Sequence, residues 1–191
     1  MKLKELVDIK IGLALERKKA NITSTNIIEY QVLTLKSFAN ANCVDVLPYE
    51  MFMADAKLGE QYLTHANDVV VRLRSPNNAI FINNNNTGMV VSSLMAVITN
   101  IYPGILNSLY LAHYLNSQYV QRQLIKNIQG TAIPMIKIAD LNDLEIILPP
   151  LDKQNKIIAY LEAANEEVAL LQKIIDEKSK LKAEIFETLI K

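Results

Sequence analysis

The stretch GTAIPMIKIADLNDLEIILPPLDKQNKIIAYL, residues 130–161, separates two parts of the chain that differ in character. Its glycine is typical of the residue that follows the end of a helix. A strand is predicted after it, where apolar residues alternate at Leu144, Ile146 and Leu148. The Pro149–Pro150 pair ends that strand, and the 41 residues that follow contain neither Gly nor Pro. The sequence therefore predicts a globular domain over residues 1–150 and one long α-helix over residues 151–191.

The predicted terminal helix carries a hydrophobic seam. Its members are spaced four, three, four, three and four residues apart, as at the a and d positions of a coiled coil: Ile157, Leu161, Ala164, Val168, Leu171 and Ile175. Lys178 and Lys182 occupy the next two seam positions, and the apolar stripe resumes one position back at Leu181. About 38 helical residues extend roughly 57 Å, which is too long for the preceding domain to cover. We therefore expect the seam to pair with another helix or another chain.

The domain is predicted to be rich in β-strands. Residues 7–15 alternate between apolar and polar, which predicts one half-buried strand. Further strands are predicted at residues 30–35, at 44–47 and within 89–98. Residues 49–62 fit either a short helix or an irregular crossing.

A further strand, residues 69–74, is predicted to place Arg72 and Arg74 together on one face. After a short strand at residues 79–82 comes a run of four asparagines: Asn83, Asn84, Asn85 and Asn86. Asparagine tolerates left-handed backbone, so this run is predicted to be the tip of a hairpin. Helical spacing then predicts two helices up to residue 128, separated at Asn116–Ser117. The predicted fold class is α+β, a strand-rich domain followed by one long coiled-coil helix.

Composition narrows the classes of function. Apolar residues make up 50% and charged residues 21%, with a formal net charge of +0, which is typical of a globular protein without a global attraction to DNA or membranes. A single cysteine, Cys43, fits a reducing compartment. The first residues lack the apolar core of a signal peptide, so a cytoplasmic location is expected.

No catalytic motif is found. The five glycines are too scattered for a phosphate-binding loop, and His65 and His113 stand without a second metal ligand at suitable spacing. The acid-x-Lys pattern of some nucleases occurs four times, which makes it uninformative in a chain this charged. We therefore expect no enzymatic activity, no cofactor and no metal.

Residues 130–161 resemble the corresponding part of the specificity subunit of type I restriction-modification enzymes. The similarity lies in the G-T-x-x-P of residues 130–134 and the P-P-L-x-x-Q of residues 149–154, with Ile157 and Leu161 beyond. Residues 67–70 and the helix at 110–118 agree in order with that family.

The resemblance implies a non-catalytic role. Family members carry two target-recognition domains, each followed by a long helix, and the two helices pair antiparallel between two DNA half-sites. This chain would be one half of such a subunit: a target-recognition domain over residues 1–150 and a spacing and docking helix over 151–191. It would read a bipartite target on double-stranded DNA as a homodimer and recruit an adenine methyltransferase subunit and a restriction subunit. Pairing with a different half, or a fragment of a longer chain, stays open, as does a coiled-coil scaffold or inhibitor that binds no DNA.

The candidate DNA-binding residues come from side-chain chemistry. Lysine and arginine contact phosphates, arginine reads guanine, and asparagine or glutamine pairs with adenine. The candidates are Arg17, Lys18 and Lys19; Arg72 and Arg74; Asn83 to Asn86; and Gln129 and Lys137, which flank the G-T-x-x-P turn. Each group has an ordinary alternative: a solvated loop, an exposed strand face with ion pairs, or a turn. Residues 1–150 hold 13 Lys+Arg against 12 Asp+Glu, so the isolated chain is expected to bind DNA weakly.

Overall fold

A computed structural model describes residues 1–20, 27–38, 50–126 and 135–190. Six strands and four α-helices occur in those ranges. They are β1 (Asp8–Ile11), β2 (Ile28–Val32), β3 (Glu50–Ala54), β4 (Val69–Arg72), β5 (Ala79–Phe81), β6 (Met95–Thr99), α1 (Ser108–Asn116), α2 (Gln118–Lys126), α3 (Ile138–Asn142) and α4 (Leu151–Leu189). The predicted α+β class is confirmed. The strand predicted at residues 44–47 and the helix-ending Gly130 lie outside the described residues.

Four strands form one antiparallel sheet in the order β1-β6-β4-β5. Strand β4 lies inside this sheet and pairs with both β6 and β5. Val70 of β4 stands opposite Val97 of β6 and opposite Ile80 of β5. These three side chains belong to one core cluster, while Val69 and Val71, which point the other way, are also fully buried. Both faces of β4 are therefore covered. An inner strand packed on both sides needs apolar residues throughout its buried part.

The first strand is shorter than the alternating pattern predicted. β1 ends at Ile11, whose side chain is 50% exposed, and residues 15–17 form a 3₁₀-helix. The reason is Gly12, where a Cβ atom would lie 2.2 Å from the carbonyl oxygen of Ser92. At this position two backbones come closer than any side chain allows, and the next residue, Leu13, bridges to Ser92 in parallel instead of continuing β1.

A second sheet consists of β2 and β3, paired antiparallel with Tyr30 opposite Phe52. The strand predicted at residues 30–35 begins and ends earlier, and a 3₁₀-helix follows it at Leu35–Phe38. The helix or irregular crossing predicted for residues 49–62 was wrong, because residues 50–54 form β3. Phe52 and Ala54 of this strand are buried and its other residues are exposed, but apolar side chains on both faces hide that period in the sequence.

The predicted hairpin tip at Asn83–Asn86 is also wrong. Residues Asn84–Asn86 form a 3₁₀-helix, capped by the Asn83 side chain, which accepts a hydrogen bond from the Asn85 N–H. The chain does not return along β5. It continues to Val90, which bridges to Val32 of β2 in parallel and to Leu63 in antiparallel. The asparagine run is thus a connection between the two sheets.

α1 and α2 follow the predicted order, whereas α3 was not predicted. Asn107 caps α1 through hydrogen bonds that its side chain accepts from the N–H groups of Leu109 and Tyr110, and Ser117 separates α1 from α2 as predicted. The Asn116 side chain accepts a hydrogen bond from the Ala79 N–H and donates one to the Ala79 carbonyl. These two bonds occupy part of the free edge of β5.

The strand predicted from residues 144 to 148 is reduced to a single bridge. Glu145 stands opposite Lys2, and the N–H of Leu3 donates to the carbonyl of Leu144 at 2.9 Å. The Nζ atoms of Lys2 and Lys4 lie 2.9 and 3.1 Å from Asp143. The hydrogen bonds between these side chains, and then their opposite charges, raise the pKa of Lys2 and lower the pKa of Asp143.

Internal contacts divide the chain into two units, Met1–Leu151 and Asp152–Lys191. The second unit is α4, a helix of 39 residues that extends about 58 Å. Ile157, Leu161 and Ala164 of the predicted seam are half-buried. The later seam residues are exposed, Val168 by 66%, Leu171 by 52% and Ile175 by 55%. No helix in the described ranges is both long and apolar enough to cross a bilayer.

Candidate nucleic-acid interface

The basic cluster Arg17, Lys18 and Lys19 lies along the free edge of β3. Lys19 stands opposite Ala54, the N–H of Ala20 donates to Met53 at 2.8 Å, and the N–H of Asp55 donates to Lys18 at 3.1 Å. Residues 18–20 therefore act as a short third strand beside β3. All three basic side chains are exposed, so they are available to phosphates.

The two strand arginines have different surroundings. Arg72 is half-buried, its guanidinium lies 5.8 Å from the centre of the Phe38 ring, and its buried Nε makes no hydrogen bond within the described ranges. Arg74 is exposed and stands opposite Met135. Only Arg74 therefore presents a freely accessible guanidinium, whereas Arg72 is held against an aromatic ring.

Lys137 lies two residues beyond Met135 and is exposed. It caps α3, with the Asp140 side chain accepting from the Lys137 N–H at 2.8 Å. The structure thus brings Arg74 close to the segment that carries Lys137, a proximity that the sequence did not predict. Gln129, the other candidate beside the G-T-x-x-P turn, lies outside the described residues.

The asparagines occupy the opposite end of the β4–β5 pair. β5 runs antiparallel to β4, so its last residue, Phe81, stands beside Val69, away from Arg72 and Arg74. Asn84 and Asn85 are exposed and Asn83 is half-buried, but Asn86 is 1% exposed. The Asn86 carbonyl accepts a hydrogen bond from Thr64 at 2.7 Å. At most three members of the run can reach a ligand without rearrangement.

Sequence patterns missed the outer face of the β2–β3 ribbon. Tyr30, Val32, Phe52 and Ala54 face a core cluster, so the alternate residues face outward. These are Gln31 opposite Met51 and Glu29 opposite Met53, all exposed. Apolar side chains on both faces of residues 50–54 hide the period-two signal in the sequence, and only pairing with β2 shows which face points outward.

A polar cavity of about 540 Å³ lies beside the start of β4. Glu60, His65 and Asp68 are among its lining residues, with Asp68 buried and accepting from the His65 N–H at 2.8 Å. Burial raises the pKa of the Asp68 carboxyl. No group of three or more His, Cys, Asp or Glu side chains suited to a metal ion occurs within the described ranges.

The family model described as the type I restriction modification DNA specificity domain matches residues 1–178. It covers the globular unit and most of α4. The chain belongs to this family. No curated protein sequence matches the chain significantly.

Solved structures of this specificity-domain family share the fold. An HsdS subunit from Thermoanaerobacter tengcongensis is 18% identical, with a TM-score of 0.69 over 94% of this chain and 45% of its own. A chain from a study of complex assembly and conformational transition in the type I R-M system is 20% identical, with a TM-score of 0.63 over 93% and 40%. A type I restriction-modification S subunit from M. genitalium is 20% identical, with a TM-score of 0.58 over 96% and 43%. The specificity domain described here thus spans less than half the length of each.

Proposed function

We propose that this chain supplies one DNA-reading half of a type I restriction-modification specificity subunit. The observation that carries the proposal is the family match, which includes a strand-rich domain and most of a long helix in one continuous region. The three similar structures are matched over 40–45% of their length, which is the extent expected of one half of a two-domain subunit. The domain at residues 1–150 reads one half-site.

α4 pairs antiparallel with a second such helix and sets the separation of two half-sites. The exposed apolar seam supports this role, since Val168, Leu171 and Ile175 are each more than half exposed in the chain alone. Pairing of two identical chains has twofold symmetry, so the target is a bipartite sequence with palindromic halves. Pairing with a different half gives a bipartite target with unrelated halves.

The chain itself makes and breaks no covalent bond in this proposal. It binds double-stranded DNA and recruits an adenine methyltransferase subunit and a restriction subunit in the cytoplasm. Exposed Arg17, Lys18, Lys19 and Arg74 supply phosphate contacts, which orient the domain on the duplex without reading sequence. With the domain's near-zero net charge, partner subunits contribute much of the total affinity.

The test is a selection from random DNA duplexes by the full chain in complex with its methyltransferase partner. Two short recognised sequences separated by a fixed, unread spacer are expected. Palindromic halves indicate a homodimer, and unrelated halves indicate pairing with a second, different domain. Recovery of no common sequence, with the protein complex intact, contradicts the proposal and favours a scaffold that acts through protein contacts alone.

A further inference from the structure

The ribbon formed by β2 and β3 has one face packed in the core and one face exposed to solvent. Its inner face packs Tyr30 and Phe52 into the core, and β2 is held from the side because its Gln31 carbonyl accepts from the Val90 N–H at 2.8 Å. The outer face carries Gln31 beside Met51 and Glu29 beside Met53. A ribbon fixed by both backbone pairing and a packed face holds its outward side chains in a defined arrangement.

The outer face has an unusual composition for a surface exposed to water. Met51 and Met53 are 51% and 41% exposed, two residues apart on one strand. Each stands opposite a residue with hydrogen-bonding capacity, Gln31 or Glu29. The outer face thus places an apolar side chain beside a hydrogen-bonding side chain twice along the ribbon. A binding partner that fits this face carries methyl groups next to hydrogen-bond donors and acceptors. The major-groove edge of base pairs has this character, because thymine presents a methyl group and adenine presents an acceptor and a donor.

Charge and width support the same occupant. Residues 18–20 lie along β3, so Lys18 and Lys19 line one side of the ribbon, and Arg17 directly precedes them. Lys19 is on the face of its partner Ala54, and Lys18 is on the opposite, outer face. Adjacent strands are about 4.8 Å apart, so the backbone axes of β2, β3 and residues 18–20 span about 10 Å, compared with a major groove about 12 Å wide. The segment at Val90 lies along the other side of β2. Basic side chains at the edge of such a ribbon face the phosphates that border the groove. Nearby carboxylates are Glu29 on the outer face, Glu16 beside Arg17, Glu50 at the start of β3 and Asp55 one residue after its end.

We infer that the outer face of the β2–β3 ribbon enters the major groove of the target half-site. Gln31 pairs with the N6 and N7 atoms of an adenine, and Met51 and Met53 contact thymine methyl groups. Glu29 accepts a hydrogen bond from the N4 amino group of cytosine. Lys18 and Lys19 bind phosphates. This assignment rests on the proposed function, since it names the part of the domain that reads the DNA.

The experiment repeats the duplex selection with complexes of the full chain that carry Gln31→Ala or Met51→Ala. Both side chains are exposed, so the variants are expected to fold, and thermal unfolding checks this. Gln31→Ala is expected to relax the preference for adenine at one position of the half-site by roughly 5- to 100-fold. Met51→Ala is expected to relax the preference for thymine at a neighbouring position by about fourfold. The matched control is Gln118→Ala, an exposed glutamine on α2, which is expected to leave every position unchanged.

Loss of a phosphate contact is expected to change the salt dependence of binding and not the sequence preference. Lys18→Ala is expected to weaken binding to all duplexes equally and to reduce the slope of log affinity against log salt by about one. A change in sequence preference with this variant, at an unchanged salt slope, overturns the phosphate assignment.

The outcomes separate the two proposals. If the unmodified complex selects no sequence, the proposed function fails. If it selects a bipartite sequence but Gln31→Ala and Met51→Ala leave all preferences unchanged, the ribbon assignment alone is overturned. It is equally overturned if these variants lose the methyltransferase subunit in size-exclusion chromatography, because the outer face is then a protein contact.

Discussion

Replacement of Val168 by glutamate tests the seam of α4 at its most exposed predicted position. The Val168 side chain is 66% exposed in the single chain. Complete burial of a valine is worth about 1.5–3 kcal/mol, so covering the exposed two-thirds is worth about 1–2 kcal/mol. In a symmetric pair the contribution counts twice, about 2–4 kcal/mol. A carboxylate placed in an apolar seam adds a desolvation cost to this loss.

We therefore expect Val168→Glu to raise the dissociation constant of the homodimer at least about 30-fold. The single helix is not expected to suffer, because glutamate has a higher helix propensity than valine. Sedimentation velocity over a range of concentrations measures the dimer, and circular dichroism confirms that helix content is kept.

The matched control for this substitution is Ala169→Glu. It introduces the same charge one residue away, at an exposed position outside the seam. Its dissociation constant is expected to stay within a few-fold of that of the unmodified chain. Equal dissociation constants for the two variants would refute the assignment of the seam, and a chain that is monomeric at every concentration would refute homodimer formation.

Three further predictions concern the globular domain and are measured by urea unfolding. Gly12→Ala places a methyl group 2.2 Å from the Ser92 carbonyl oxygen and is expected to cost about 1–3 kcal/mol or more. Asn107→Ala removes the α1 cap and is expected to cost about 1 kcal/mol, whereas Asn107→Asp should be nearly neutral. The raised pKa of Asp68 means that the folded state keeps a proton which the unfolded state has lost, so stability falls as pH rises from 3.8 through the raised pKa. Asp68→Asn, which keeps an acceptor for the His65 N–H, is expected to flatten that decline; an unchanged pH dependence would contradict the role of burial.

Three of the four α-helices in the described ranges were predictable because their signals are local, and the short helix α3 was not predicted. α1, α2 and α4 follow from the spacing of apolar residues and from breaks such as Ser117 or the Pro149–Pro150 pair. The spacing of apolar residues does not define the start of α1. Leu106 fits that spacing, but it lies before the cap residue, Asn107. Only the hydrogen bonds of the cap define the first turn.

The strands were less predictable because partners distant in sequence decide which faces are buried. β4 shows no alternation since it is an inner strand of its sheet and both of its own faces are covered. β1 is shortened by a backbone contact between Gly12 and Ser92, which are 80 residues apart in the chain. No local pattern contains that contact.

The candidate site was predicted by residue type and only partly by position. Basic and amide side chains were selected for their chemistry, and the structure then distinguished exposed Arg74 from half-buried Arg72, and exposed Asn84 from buried Asn86. The outer face of the β2–β3 ribbon was missed, because the outward direction of Met51 depends on its pairing with Gln31. Methionine in isolation is more typical of a core than of a reading surface.

The pairing of the first residues with the segment before α4 has a consequence for how the domain can be rearranged. The Ile146 N–H donates to the Met1 carbonyl at 2.9 Å, so the chain enters and leaves the globular unit at neighbouring points. A short linker could join these points, and new termini could open in the exposed turn at residues 102–105, as in a circular permutant. Such a permutant moves the ends of the domain to residues 102–105 and keeps its internal strand pairing.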